Sequence, residues 1–283
     1  MHIVVCIKQV PDSAQIRVHP VTNTIMRQGV PTIINPYDLV VLEEALRLRD
    51  QFGGKVTVLT MGPPMADESL RKALACGADA AVLLTDRFFA GSDTLATSFA
   101  LSTAIKKIDA EEPVDIVFAG KQTIDGDTAQ VGPGIAKRMG LNQLTYVSAI
   151  RSLDLGSRSI VVERRAEGGT QVLTTGLPCL ITMLEGSNVL RRGSMPDMFR
   201  AARAEITTWN AEQAGVEDIT KCGLRGSPTV VKKVFAPKPR NEKAVLVETE
   251  GKSDAEIAQA AIDALFTANP KLEAEIPELV LAS

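Results

Sequence analysis

Histidine is nearly absent: His2 and His19 are the only two in 283 residues, and both lie near the amino terminus. That leaves no credible Ser/His/Asp or Cys/His catalytic set and little for imidazole metal chemistry. Cysteine is scarce and scattered. Cys6, Cys76, Cys179 and Cys222 form no C-x-x-C pair, which argues against a structural zinc or a redox dithiol and for reduced, buried thiols. No apolar run approaches the ~20 residues that span a bilayer. A net charge of only −3 excludes a general attraction to nucleic acid or anionic membrane. The first eight residues lack a basic leader followed by a cleavable apolar region, so they read as a first strand and the chain as soluble and cytoplasmic.

The phosphate-binding fingerprints are missing too. There is no G-x-x-x-x-G-K-[ST], and neither S-G-G-x-D-S nor H-x-x-H occurs. A dinucleotide G-x-G-x-x-G fails, because Gly132 and Gly134 are followed by Lys137 and do not directly follow a strand. These gaps weaken an adenylyl-transferring enzyme and leave no evident catalytic residue.

What is present is an ordinary globular balance, 45% hydrophobic and 23% charged. The length allows one large domain or a domain with an extension. Residues 2–7 read as a strand, stopped by Pro11. Residues 16–18 and 24–26 flank 19–23 as a hairpin-like excursion. Asn35 as N-cap and Pro36 at the first helical position start a helix to about Gln51, which Gly53 and Gly54 close. A strand at 55–60, a helix at 67–76, a strand at 80–84, a helix from Ser92 or Asp93 to Lys107 and a strand at 114–119 continue the alternation. It predicts a doubly wound, mostly parallel, Rossmann-like α/β sheet with helices on both faces. Ligands of such sheets bind at the carboxyl ends of the strands. The loops so selected are 8–12, 61–63 and 120–128, with the Asn35 helix start beside them.

Strand 114–119, the polar loop from Gly120 to Thr128 and a helix from about Ala129 to Met139 would aim backbone N–H groups and a helix dipole at a phosphate. Asp127 or Thr128 is the expected N-cap, with Gln130 in the first turn. Taken alone, the stretch reads sooner as an ordinary, well-capped connection. From Leu144 the pattern changes: strands at 144–153, 159–164, 171–175 and 179–183 look like antiparallel additions at one edge. A helix at 196–204 and a last strand within 204–209 follow. Beyond about Asn210 the composition turns to Gly, Pro, Lys and Glu, and Ser253 with Glu256 forms a capping box for one more helix. The expected organisation is a nucleotide-binding domain at 1–210 and an extended C-terminal arm at 211–283.

Several stretches carry a resemblance. Val162, Arg164, Glu167-Gly168-Gly169, Gln171, Leu173, Pro178 and Leu180-Ile181-Thr182 stand in the order and spacing of the electron transfer flavoprotein β-subunit signature. Asn35-Pro36-Tyr37-Asp38, Gly120-Lys121-Gln122 and Ser194-Met195-Pro196 are similar to that family as well, and the likeness covers residues 1–205. The resemblance implies a heterodimer with an FAD-carrying α subunit on which the arm packs, and an adenine nucleotide in the β domain. Carried over, the nucleotide site comprises Cys6, Lys8, Asn35, Pro36, Tyr37, Asp38, Met61, Gly62, Gly120, Lys121, Gln122, Asp125, Gly126, Asp127, Thr128, Ala129, Gln130 and Val131, with Tyr37 beside the α-subunit flavin.

That nucleotide is AMP in conventional members, which shuttle electrons from acyl-CoA dehydrogenases, and a second FAD in bifurcating ones. Conventional members tend to carry an acid at the position of Gly126 and Asn at that of Ala129, so this loop resembles the bifurcating form. There the second flavin takes a hydride from NADH and divides its electrons between a flavin dehydrogenase and a low-potential acceptor such as ferredoxin or flavodoxin. Residues 184–200 correspond to the loop that docks on partner dehydrogenases, with Met195 and Pro196 at its centre. Arg165 departs from an acid found in some relatives. Arg164, Arg191 and Arg192 are placed to meet phosphates or a partner's acidic surface, and each is equally a solvated charge. A stand-alone nucleotide-sensing α/β domain is the alternative from another class.

Overall fold

The computed structural model describes residues 1–12, 17–18, 25–26, 31–229, 232, 244 and 246–271. Residues 19–23 of the expected hairpin lie outside the described residues, as does the end of the arm beyond 271. The elements, in chain order, are β1 (His2–Cys6), β2 (Gln9–Pro11), β3 (Arg17–Val18), β4 (Ile25–Met26), β5 (Thr32–Ile34), α1 (Pro36–Phe52), β6 (Lys55–Met61), α2 (Asp67–Ala75), β7 (Ala80–Leu84), α3 (Thr94–Glu111), β8 (Ile116–Gly120), α4 (Val131–Met139), β9 (Asn142–Asp154), β10 (Ser159–Ala166), β11 (Gly169–Gly176), β12 (Cys179–Met183), α5 (Met195–Arg203), β13 (Thr207–Trp209) and α6 (Asp254–Ala268). Short 3-10 turns lie at Pro64–Ala66, Arg87–Phe89 and Ile219–Lys221.

Every residue of β1 is buried, because helices cover both faces of a parallel sheet. The period of two sorts its side chains. Ile3 and Val5 join the cluster under α1 and α2, with Val41, Leu42, Leu46 and Leu70. Val4 and Cys6 join the opposite cluster under α3 and α4, with Leu101, Ile105 and Ile135. Each such fully buried aliphatic side chain contributes about 1.5–3 kcal/mol. The strand order is β11-β10-β9-β12-β8-β1-β6-β7-β13. The chain moves outward from β1 through β6 and β7, then returns to lay β8 on the other side. The reversal opens a crevice at the carboxyl ends of β1 and β8.

The expected doubly wound sheet is present, with one correction. β12 lies between β8 and β9 and runs parallel to both, so the 144–153 and 179–183 strands extend the parallel sheet. Only β10 and β11 are antiparallel additions. A further correction concerns α4, which begins at Val131 with Gln130 as a capless N-cap residue, so neither Asp127 nor Thr128 caps it. Gly140 ends α4 in the left-handed region, as a helix stop requires. Gly132 and Gly134 serve packing: a Cβ on them would lie 2.8 Å from Thr182 Cγ2 and 2.7 Å from Ser98 Cβ.

The chain forms two compact units, Met1–Phe235 and Ala236–Ser283. Within the first, Ala211, Ala214 and Cys222 are buried in the α3 cluster. Within the second, α6 carries the expected capping box: the Ser253 hydroxyl accepts from Glu256 N–H while the Glu256 carboxylate accepts from Ser253 N–H. No helix among the described residues is long and apolar enough to cross a membrane.

Candidate functional site

The site is assembled where α1 starts. Asn35 stands at the expected N-cap position of α1, its carbonyl accepting from Asp38 and Leu39 N–H at 2.8 and 3.3 Å, but its side chain makes no cap bond. Its amide reaches across the crevice instead. Nδ2 donates to the Gln122 carbonyl at 2.8 Å and Oδ1 accepts from Ile124 N–H at 3.2 Å. Its own N–H donates to the Lys8 carbonyl at 2.9 Å, within reach of the β2–β5 pairing. Pro36 supplies the first helical residue, where a missing N–H does no harm.

Asp38, one turn on, is buried and accepts from Lys8 N–H at 2.7 Å. Burial pushes its pKa up to about 7, against the pull of the Asn35 side chain and of the Lys8 and Gly120 backbone N–H groups. Gly120 has no room for a side chain: a Cβ would lie 2.3 Å from Asp38 Oδ1 and 2.8 Å from Tyr37 Cβ. Cys6, beneath these groups, is buried, and burial followed by the nearby Asp38 charge pushes its thiol up to about 12. It is a packing thiol rather than a reactive one.

Loop 121–130 is held from both sides. Lys8 Nζ donates to both oxygens of Asp125 at 2.8 and 2.7 Å. Burial opposes ionisation of Asp125, but the Lys8 ammonium outweighs it and lowers the Asp125 pKa. Gln122 Nε2 donates to Asp127 Oδ1 at 2.8 Å, and a turn returns Asp127 N–H to the Thr123 carbonyl at 2.9 Å. Asp127 and Ala129 both sit at positive φ, +52° and +55°. Ala rarely takes that conformation, Asp more often, and strained residues of this kind cluster at ligand sites. Gly126, just before this pair, and Thr128, between them, are exposed. Gln130 accepts from Thr94 Oγ1 at 2.8 Å, tying the loop to the start of α3.

Lys121 Nζ lies over Tyr37 at 5.3 Å and over Tyr146 at 5.9 Å from the ring centres. It opens onto a cleft of about 410 Å³ lined by Lys121, Ala129, Pro133, Gln143, Thr145, Tyr146, Arg164 and Thr182. Arg164 Nε is buried there with no hydrogen-bond partner among the described residues. Sequence reasoning missed Thr94, Gln143, Thr145 and Tyr146. Tyr146 stands at φ +58° within β9, where its register against β12 shifts, which no local signal announces.

The structure thus brings together Lys8, Asn35 to Asp38 and the whole of 120–131. Met61 and Gly62 lie at the carboxyl end of β6, the neighbour of β1. Met195 and Pro196 lie apart, on α5, which packs on α2. Arg191 departs from expectation, since its guanidinium is bound to Glu43 and Asp50 within the chain. No group of His, Cys, Asp and Glu side chains suited to a metal occurs among the described residues.

Residues 22–214 match the electron transfer flavoprotein domain. Protein FixA of Sinorhizobium fredii is 72% identical over 277 residues, spanning 98% of this chain and 97% of the relative. Protein FixA of Azotobacter vinelandii is 65% identical over 276 residues, 98% of each chain. The electron transfer flavoprotein subunit beta of Clostridium acetobutylicum is 47% identical over 246 residues, 87% of this chain and 92% of that one. A domain match across most of the sheet and full-length identity of this order leave one assignment: the chain belongs to the electron transfer flavoprotein β-subunit family.

Proposed function

We propose that this chain pairs with an FAD-carrying α subunit, that loop 120–131 and the start of α1 hold an adenine nucleotide, and that the nucleotide is FAD. The observation that carries the choice of FAD is Ala129. It stands at φ +55° on the wall of the cleft. Asn tolerates that conformation better than Ala, yet the smaller residue occupies it, and space in the cleft is the gain. The residues present suit a flavin nucleotide. Lys121 and the loop N–H groups offer positive charge to phosphates, and the unpaired Arg164 Nε offers a donor to a carbonyl or anion in the cleft.

Accepting a hydride from NADH and dividing its electrons between a high- and a low-potential acceptor is chemistry that bound flavin supplies. The chain's own residues bind and orient: Asn35 and Asp38 fix the loop against β1 and β8, and Lys8 and Lys121 set its charge. Exposed Met195, with Pro196 beside it, serves docking on a partner flavin dehydrogenase. A cytoplasmic setting accords with four free cysteines.

The test is to purify the chain with its α subunit, release the cofactors by denaturation and count them. Two FAD per heterodimer is the expected result. One FAD with one AMP overturns the bifurcating reading, and a chain that forms no heterodimer overturns the whole assignment.

A further inference from the structure

Segment 188–204 is tied to the body of the molecule by side chains of α1 and α2. Glu43 lies midway along α1 with its carboxylate almost entirely buried, where an unpaired charge is strongly disfavoured. Arg191 takes both oxygens. Its backbone N–H and Nε donate to Oε2 at 2.9 and 3.0 Å, and Nη2 donates to Oε1 at 3.0 Å. Arg47 Nε adds a bond to Oε1 at 3.1 Å, and Arg191 Nη1 continues to Asp50 at 2.5 Å. Upstream, Asn188 Nδ2 donates to the Val40 carbonyl and to Glu44.

Downstream, Gly193 passes so close to Ala75 that a Cβ would lie 2.1 Å from the Ala75 carbonyl oxygen. α2 and α5 then cap each other. Arg200 donates to the Leu74 and Ala78 carbonyls where α2 ends, and Arg71 donates to the Ala201, Ala202 and Ala204 carbonyls where α5 ends. The outward side of α5 keeps Met195, Met198 and Phe199 exposed.

We propose that Glu43 is the positioning residue of this docking segment: by holding Arg191 through both backbone and guanidinium it fixes where α5 starts and presents Met195, Met198 and Phe199 as a preformed surface. The proposal rests on the docking role given above to Met195. A single carboxylate that binds a backbone N–H and a bidentate guanidinium fixes position and orientation together. A surface already ordered in the free protein avoids the entropy of ordering it on association. Glu43 lies more than a turn beyond Asp38 along α1, so its loss leaves the nucleotide loop in place.

The heterodimer carrying Glu43→Gln is the first test, with Arg191→Ala as a partly exposed alternative if the buried substitution hinders folding, and Met195→Ala as comparator. An acyl-CoA dehydrogenase reduced by butyryl-CoA serves as the electron-donating probe. Amide hydrogen exchange is followed at 188–199. Expected for Glu43→Gln and Arg191→Ala are at least tenfold faster exchange at 188–194 and a KM for the dehydrogenase raised at least threefold, with kcat and nucleotide content unchanged. Unchanged exchange and KM in both, beside a raised KM in Met195→Ala, overturns the positioning role while docking through α5 stands. Faster exchange with KM unchanged in all three variants removes the docking role itself, and the proposal with it.

Discussion

Ala129 and Asp38 show how single residues set the character of the crevice. Ala129 in the left-handed region carries backbone strain of about 1 kcal/mol that Asn would relieve. Ala129→Asn is therefore expected to raise the thermal midpoint of the nucleotide-free protein by about 2–4 °C while lowering FAD and raising AMP in the purified heterodimer. Asp38 works through protonation. Its folded pKa of about 7 lies above its ordinary value of 3.8 because burial disfavours the carboxylate. The unfolded chain releases this proton first, so the group's contribution is fully present below pH 4 and is lost as pH rises towards 7. Asp38→Asn removes that ionisation. Urea midpoints measured between pH 5 and pH 8 should fall less steeply with pH in the variant than in the parent, and equal slopes would count against the assignment.

At the scale of elements, the crevice depends on how closely β8 meets the first turn of α1. A methyl group on Gly120 would strike the Cβ and backbone of Tyr37 and the Asp38 carboxylate, which is buried and held by Lys8 N–H, so neither gives way cheaply. Gly120→Ala is expected to lower the unfolding free energy by about 1–3 kcal/mol, read from denaturant midpoints, and to reduce nucleotide content. The parallel strands as far as β8 and the helices between them were legible because each strand is a short apolar run and α1 has its own start at Pro36. The β2–β5 pairing was not, since Gln9–Pro11 falls in a stretch read as a loop after β1 and pairs with a strand of only three residues, Thr32–Ile34. The parallel placement of β12 was missed, although the uninterrupted run Cys179-Leu180-Ile181-Thr182-Met183 is the mark of a strand covered on both faces. Asn35 occupies the expected N-cap position, but its side chain is used elsewhere. An amide before a proline is a plausible cap locally, and its true partners, Gln122 and Ile124, lie 87 and 89 residues away. That Lys8, Asn35 and the 120–131 loop come together was legible through the strand-end rule and the family motifs. Tyr146 and Thr94 were not, since only tertiary packing brings them there.

Considered whole, the first unit is a nine-stranded sheet whose two ends differ. One end is closed by β13, only three residues long. The other is β11, eight residues running Gly169–Gly176, paired among the described residues to β10 alone. From Thr170 to Thr175 it has no charge and no proline. An open, uncharged strand of this length is a template for other chains. The consequence concerns production of the protein as much as its work. Made without a companion subunit, the chain should self-associate through this strand in a concentration-dependent way. Val172 is exposed and stands directly across from Glu163. Val172→Lys places a charge on the free strand and an opposite charge beside Glu163. It should cut light scattering of the isolated chain severalfold without lowering its thermal midpoint, and scattering that persists unchanged would locate the sticky surface elsewhere.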